Sequence, residues 1–366
     1  MEKPIRILQV FGRMDRGGAE SMIMNIYRNI DRSKVQFDFV VHTDDKCHFD
    51  EEIYSLGGKI HHVPKYTIKN HFSYKKAWND FFKRQYEYKI IHGHMYSIAS
   101  IYLKIAKKHG LTTIAHSHNT SDGSGISAII KAIYRLPIKR YADYKFACGT
   151  LAGQWLYKNN DFKVINNSIE INKYKYNSDI ASQYRNELGL EHKFIIGHVG
   201  RFNHQKNHEF LIDIFYEIQK KRDDAVLLLV GDGELRSMIE EKTRSLGILE
   251  KVIFTGIRDD VPNLMQAMDV FLFPSHYEGL PVVLVEAQAT GLQCVVSDVI
   301  TDEIDILNLC RVSLNKNAEE WAECLLSIDS KKERELCNDK IAKAGYDIKI
   351  SSAELEKFYL NSLVNL

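Results

Sequence analysis

Paired cysteines are missing from this 366-residue chain. Its six cysteines (Cys47, Cys148, Cys294, Cys310, Cys324 and Cys337) are scattered and form no C-x-x-C pair. That excludes the common zinc-knuckle and dithiol redox motifs, and free thiols in a reducing compartment are expected. Long hydrophobic runs are also missing. No stretch approaches the about 18 apolar residues of a membrane-spanning helix. The first apolar run, Ile7 to Phe11, is broken by Gln9 and is too short for a signal peptide. A cytoplasmic protein is expected, with peripheral contact to the inner face of a membrane left open. Net charge is nearly absent: 49 Lys/Arg oppose 48 Asp/Glu, leaving +1. The whole chain therefore lacks both the basic excess of a nucleic-acid binder and the charge of a disordered segment. No low-complexity tract is evident, and no repeat of roughly 20–50 residues.

What remains is a globular profile, 45% hydrophobic and 27% charged. The length suits two domains of about 150–200 residues. Ile5–Phe11 is short, rich in β-branched residues and followed by Gly12, which reads as a buried strand. Ala19–Ile30 has helical spacing with Met22, Ile26 and Ile30 on one face. Further strands are expected at 37–42, 60–64, 89–92, 112–115, 145–147 and 163–165, with helices such as Tyr74–Gln85 and Ile98–His109 between them. The pattern restarts at Phe194–Gly200 and continues through a helix at His208–Arg222 and strands at 225–230, 252–255, 270–273 and 294–297. Alternating strands and helices imply parallel sheets covered on both faces. The fold expected is α/β, two Rossmann-like doubly wound domains facing a central cleft. The boundary falls near residue 168. Residues 1–168 form one domain and 169–349 the other, and a last helix at about 350–366 returns to the first. The polar segment Asn166–Glu187 reads as a linker.

Ligands of such domains bind beyond the carboxyl ends of the strands. There the chain reads His276-Tyr277-Glu278-Gly279-Leu280-Pro281, then Val282 to Ala287 with Glu286. Two glutamates stand eight residues apart across a strand-to-helix transition. Gly279-Leu280-Pro281 is expected to begin the helix, since proline is tolerated in a first turn. N–H groups at a helix start suit a phosphate, and carboxylates on either side suit hydroxyl groups. A nucleotide sugar offers that order of groups. The bland alternative, one solvated and one capping glutamate, is the weaker reading beside Glu-Gly-Leu-Pro.

This E-x7-E element resembles that of retaining glycosyltransferases of the GT-B fold, above all glycosyltransferase family 4. Gly17-Gly18-Ala19-Glu20 resembles that family's N-terminal glycine loop. Val199-Gly200-Arg201 with Gln205-Lys206-Asn207 resembles its diphosphate segment, and Gly231-Asp232-Gly233 its G-x-G turn. Ala115–Asn119, Ala-His-Ser-His-Asn, resembles members encoded for polysaccharide assembly. The chain departs at Asn167-Ser168-Ile169-Glu170, where the family has Asn-Gly-Ile-Asp, and at Val299-Ile300-Thr301, where many members carry paired glycines.

The resemblance implies a donor site of Gly17, Gly18, Gly200, Arg201, Lys206, Gly231, Arg258, Glu278, Gly279, Leu280 and Glu286. Arg201 and Lys206 would bind the diphosphate, Glu278 the sugar hydroxyls and Glu286 the ribose. Gly256-Ile257-Arg258 would be the base loop. His116 would contact the donor sugar or its transition state, which makes His116, Glu278, Arg201 and Lys206 the expected catalytic set. His94, His118 and Asn119 are acceptor-side candidates. The implied reaction moves a hexose or N-acetylhexosamine from a nucleotide sugar, with uridine diphosphate as leaving group, to a glycan or lipid-diphosphate acceptor. It needs no metal or other cofactor. The alternatives are a GT-B-fold nucleotide-sugar 2-epimerase and, in another class, a nicotinamide-dependent enzyme or inert nucleotide-binding module. The Gly12-x4-Gly17-Gly18 spacing is a poor match to the dinucleotide fingerprint.

Two further patterns stand out. His92/His94 and His116/His118 have H-x-H spacing, which on a strand faces one side. That is metal-like, but no cysteine or carboxylate cluster accompanies them. Charge is also split: residues 1–165 carry 26 Lys/Arg and 15 Asp/Glu, net +11, and residues 166–366 carry 23 and 33, net −10. The basic half interleaves basic and aromatic residues at 65–76 and 131–145. Such stretches suit an anionic membrane surface or are plain solvated helix faces. No nucleic-acid-reading motif is present.

Overall fold

The computed structural model describes residues 3–85, 87–120, 126–158, 160–307, 309–328, 334 and 337–364. Residues 365 and 366 of the expected tail lie outside them. The chain divides into two compact units, residues 1–168 with 348–366, and residues 169–347.

The first unit is built on seven parallel strands: β1 (Ile5–Val10), β2 (Val35–Val41), β3 (Ile60–His62), β4 (Ile90–Gly93), β5 (Thr112–Ser117), β6 (Tyr144–Ala147) and β7 (Lys163–Val164). Their order is β3-β2-β1-β4-β5-β6-β7. Every residue of β2 is buried, as a strand covered on both faces requires. Asp38 sits in it fully buried, and its charge is met in full. Arg6 donates to it twice at 2.5 Å, Tyr88 Oη at 2.7 Å and the Lys59 amide at 2.7 Å. Helix Gly18–Asn29 and the residue after it bury Met22, Ile26 and Ile30, the stripe read from the sequence. Helix Ile348–Val364 packs in the same core through Ile348, Leu355 and Tyr359.

The second unit has six parallel strands: β8 (Phe194–Val199), β9 (Ala225–Val230), β10 (Val252–Phe254), β11 (Val270–Phe273), β12 (Gln293–Ser297) and β13 (Cys310–Val312). Their order is β10-β9-β8-β11-β12-β13. The segment expected as a linker is largely folded into this unit. It forms a 3-10 turn, Ile171–Tyr174, and a helix, Ser178–Leu188. Asn177 caps that helix by accepting from the amides of Asp179 and Ile180, and Gly189 closes it at φ +67°. The segment reads as polar linker because it is fixed by caps and a few anchors (Ile171, Tyr174, Ala181) rather than by an apolar run. Arg334 then clamps the loops beneath the sheet, donating to the carbonyls of Met265, Gln266, Met268 and Thr290. No helix among the described residues is long and apolar enough to cross a membrane.

Candidate functional site

Each sheet reverses its strand order once beside its first strand: between β1 and β4 in the first unit, and between β8 and β11 in the second. Loops diverge at such a switch point and leave a crevice at the carboxyl ends.

In the second unit the two loops at that crevice are stitched together. The His276 amide donates to Gln205 O at 2.9 Å, Asn207 Nδ2 donates to Pro274 O at 3.0 Å, and the His204 ring stacks on His276 with centroids 4.7 Å apart. Across this seam Lys206 Nζ donates to Glu278 Oε1 at 2.8 Å and Gln205 Nε2 to Glu278 Oε2 at 3.0 Å. The Lys206 and Glu278 side chains are only 15% and 7% exposed, so neither is an ordinary surface charge. The ammonium also lies 4.6 Å from the Phe273 ring centroid, a cation–π contact that fixes its direction. One of its three donors is spent on Glu278, and the others have no hydrogen-bond partner among the described residues.

The glycines of this crevice divide in their roles. Gly231 has φ +136°, and a Cβ on it would overlap the Gly200 carbonyl. A Cβ on Gly233 would overlap the Phe202 backbone. Backbone-to-backbone contact thus already explains Gly231, which the sequence placed at the donor. Gly279 faces open space, and Leu280 packs on the unit's core. The following helix begins at Val282, not at Gly279, because Pro281 is extended at ψ 90°. Glu286 is therefore in its second turn. Its Oε1 accepts from Tyr174 Oη at 2.7 Å. Burial pushes its carboxyl up to about 7, while the Tyr174 hydroxyl pulls the other way.

Arg201 and Arg258 are placed differently. Arg201 is exposed and pairs with Glu234 at 3.1 Å. Arg258 grips Asp260 through Nε and Nη2 at 2.7 and 2.6 Å and, with burial opposing, holds that carboxyl at about 2. The structure joins Lys206, Glu278 and Gln205 directly and leaves both arginines on acidic partners of their own. Gln205 and Tyr174 were missing from the expected site. Gln205 stood in the diphosphate segment, whereas nothing local in the sequence marks Tyr174 as a partner 112 residues from Glu286. A cavity of about 710 Å³ lined by Lys173, Tyr176, Asp259 and Asn263, among others, contains none of the expected site residues.

In the first unit Gly17 precedes helix Gly18–Asn29 in extended conformation, and Gly18 has open space where a Cβ would stand. The histidines cluster at the ends of β4 and β5. His92 Nε2 lies 3.2 Å from His116 Nδ1 with the ring planes within 7° of parallel, a hydrogen-bonded pair. His94 Nδ1 and His118 Nε2 form a second pair at 2.9 Å. The pairs lie face to face, His92 on His94 at 4.3 Å and His116 on His118 at 4.2 Å. Burial holds all four rings neutral, with His92 and His118 pushed down to about 3. His92, His94 and His116 offer nitrogens within 4.8 Å of one another, as a metal site would. In this arrangement their nitrogens face one another, His118, Gln9 and Tyr359, except His116 Nε2, which has no partner among the described residues. Asn119 is exposed at the end of the row.

The family model "Glycosyltransferase Family 4" matches residues 16–171, and "Glycosyl transferases group 1" matches 180–338. The chain is 36% identical to a Bacillus subtilis (strain 168) protein named as glycosyltransferase EpsF, over 97% of this chain and 96% of that one. It is 29% identical to the Escherichia coli UDP-Gal:alpha-D-GlcNAc-diphosphoundecaprenol alpha-1,3-galactosyltransferase, over 55% and 54%. Among solved structures, Anabaena Alr3699/HepE in complex with UDP and glucose is similar with a TM-score of 0.78 at 19% identity, covering 99% of this chain and 100% of that one.

Proposed function

Because the chain belongs to glycosyltransferase family 4 and carries the GT-B fold, we propose that it is a retaining transferase of cell-surface polysaccharide assembly. It takes a hexose or N-acetylhexosamine from a UDP-sugar and places it on a lipid-diphosphate-linked glycan. The observation that carries this reading is the Lys206–Glu278–Gln205 cluster at the switch point of the second sheet. It offers a cation for a diphosphate beside a carboxylate for sugar hydroxyls, and Glu286 lies on the helix that follows. The solved relative with UDP and glucose and the relative named for a diphosphoundecaprenol acceptor support the two substrate classes. The epimerase alternative is not favoured, since the relatives are named as transferases.

In the proposed reaction the bond from the anomeric carbon to the diphosphate breaks. The bond to the acceptor hydroxyl forms on the same face, and the hydroxyl's proton passes to the departing diphosphate. Charge builds on that leaving group, and Lys206 and Arg201 stabilise it electrostatically. His116 faces the donor sugar, and His94, His118 and Asn119 belong to the acceptor side. With two cations in that role the transfer is metal-independent, so a chelator leaves its rate unchanged. The basic-aromatic segments 65–76 and 131–145 bring the acceptor half to an anionic membrane surface.

A panel of nucleotide sugars scored by thermal shift, followed by transfer assays, tests this. A UDP-sugar raises the unfolding midpoint, because a ligand bound only to the folded state stabilises it. Lys206→Ala and Glu278→Ala each lower transfer by about 100-fold or more. Folded variants that retain full activity would show the site to be wrong.

A further inference from the structure

His92, His94, His116 and His118 in the first unit are wired to a single amide. Gln9 is fully buried in β1. Its Oε1 lies 2.9 Å from His94 Nε2, and its Nε2 lies 3.3 Å from Tyr359 Oη. Two hydrogen-bonded chains lead away from it. One runs through His94 to His118. The other runs through Tyr359 to His92 at 2.7 Å and on to His116 at 3.2 Å.

An amide has an acceptor at one end and donors at the other, and a neutral imidazole has one N–H and one lone pair. Each bond therefore dictates the next. Opposite Gln9 Oε1, His94 donates through Nε2 and accepts at Nδ1 from His118 Nε2, which leaves a lone pair on His118 Nδ1. On the other chain Tyr359 accepts from the amide and gives its own proton to His92 Nδ1. His92 Nε2 then donates to His116 Nδ1, and an N–H is left on His116 Nε2. These two end atoms, His116 Nε2 and His118 Nδ1, are buried and have no partner among the described residues. Turning the amide over reverses every bond and exchanges the two ends. In both orientations one end donates and the other accepts.

We propose that Gln9 is a positioning residue whose amide imposes one tautomer on all four histidines, so that His116 Nε2 and His118 Nδ1 present a matched donor and acceptor to a ligand hydroxyl group. A hydroxyl both accepts and donates, and one such group satisfies both orphaned nitrogens. The tautomer assignment depends only on the hydrogen-bond geometry. Its bearing on substrate rests on the transferase reading above.

Gln9→Glu tests it with little change of shape. Burial raises a carboxyl's pKa, so the variant is read at a pH high enough to ionise residue 9, where a carboxylate only accepts. His94 and His118 keep their Nε2 protons, but Tyr359 must now donate to residue 9. His92 then donates through Nδ1, and His116 carries its proton on Nδ1, leaving lone pairs at both ends. Long-range proton–nitrogen correlation of histidine-labelled full-length protein reads each ring directly. The wild type shows all four rings protonated on the same nitrogen, Nε2 for the amide orientation described or Nδ1 for its reverse, and Gln9→Glu shows two of each kind. Mixed tautomers in the wild type, or His92 and His116 unchanged in folded Gln9→Glu, overturn the proposal. Tyr359→Phe provides a second variant. It cuts the link between the two chains, so His92 and His116 still share one tautomer, as do His94 and His118, but the two pairs no longer have to agree; a mismatch within either pair contradicts the wiring. In transfer assays folded Gln9→Glu lowers kcat about tenfold or more, measured below its own unfolding midpoint, which the buried carboxylate lowers. Wild-type kcat in that variant removes the substrate-facing half of the proposal. An inactive wild type would instead refute the function reading and leave the tautomer result standing.

Discussion

Glu286 shows how much one side chain's surroundings decide. Its carboxyl titrates near 7 because it is buried, in spite of the Tyr174 hydroxyl that favours its charge. Between the ordinary carboxyl range and pH 7 the folded chain keeps a proton that the unfolded chain has released. Stability from this group therefore falls as pH rises through that window, and Glu286→Gln removes the slope. Binding runs the other way. If Glu286 holds the ribose, only the carboxylate accepts from both hydroxyls, so affinity for a nucleotide sugar rises about tenfold from pH 6 to pH 8. The diphosphate diester has no group titrating there, so the expected Glu286→Gln profile in calorimetry is flat. An unchanged pH slope in that variant would remove Glu286 from the ribose site. The residue's position in the motif was legible from sequence. Its protonation was not, because Tyr174 and the burying walls come from distant segments.

Elements were read well where they are apolar and local, and poorly where tertiary contacts define them. β9 and β11 fall on the residues expected, because Ala225–Val230 and Val270–Phe273 are buried at every position. Helix Ser178–Leu188 reads as linker in the sequence because it buries only Ala181 deeply and is held by its caps. The break at Gln9 in the first apolar run was a visible signal whose meaning needed the fold, since its partners stand 85 and 350 residues away. Helix Ile348–Val364 is the element that closes this network through Tyr359, and it also seals the core of the first unit. Leu355 is 3% exposed there, alongside Ile348 and Tyr359. Leu355→Ala removes buried methyl groups without touching the histidines, and costs about 2–5 kcal/mol. Urea unfolding of the variant should show a lower midpoint with little change of slope. An unaltered midpoint would mean that the helix contributes nothing to the core it covers.

At the scale of the whole molecule, the near-zero net charge conceals two oppositely charged units. The returning helix adds Lys349 and Lys357 against Glu354 and Glu356, so the first unit stays at +11 and the second at −10. On the basic unit, segments 65–76 and 131–145 are neighbours. Tyr66 Oη donates to Tyr134 Oη at 2.7 Å, with ring centroids 5.6 Å apart. Around that contact Ile68, Phe72, Ile129, Ile133 and Leu136 are exposed, Phe72 at 84%. Lys65, Lys69, Lys139 and Arg140 are exposed on the same segments. Exposed rings and aliphatic side chains flanked by cations match the headgroup region of an anionic bilayer, where each basic residue contributes about 1 kcal/mol. The full chain should therefore sediment with vesicles containing anionic lipid at low salt, stay in solution with neutral vesicles, and be released as salt screens the charges. Phe72→Ser with Ile133→Ser should weaken sedimentation at every salt concentration. Reversing Lys65 and Lys69 to glutamate should remove mainly the salt-sensitive part, because apolar insertion and charge attraction are separate contributions. Failure to pellet with anionic vesicles at low salt would leave the basic unit's charge without a membrane role and return both segments to ordinary solvated faces.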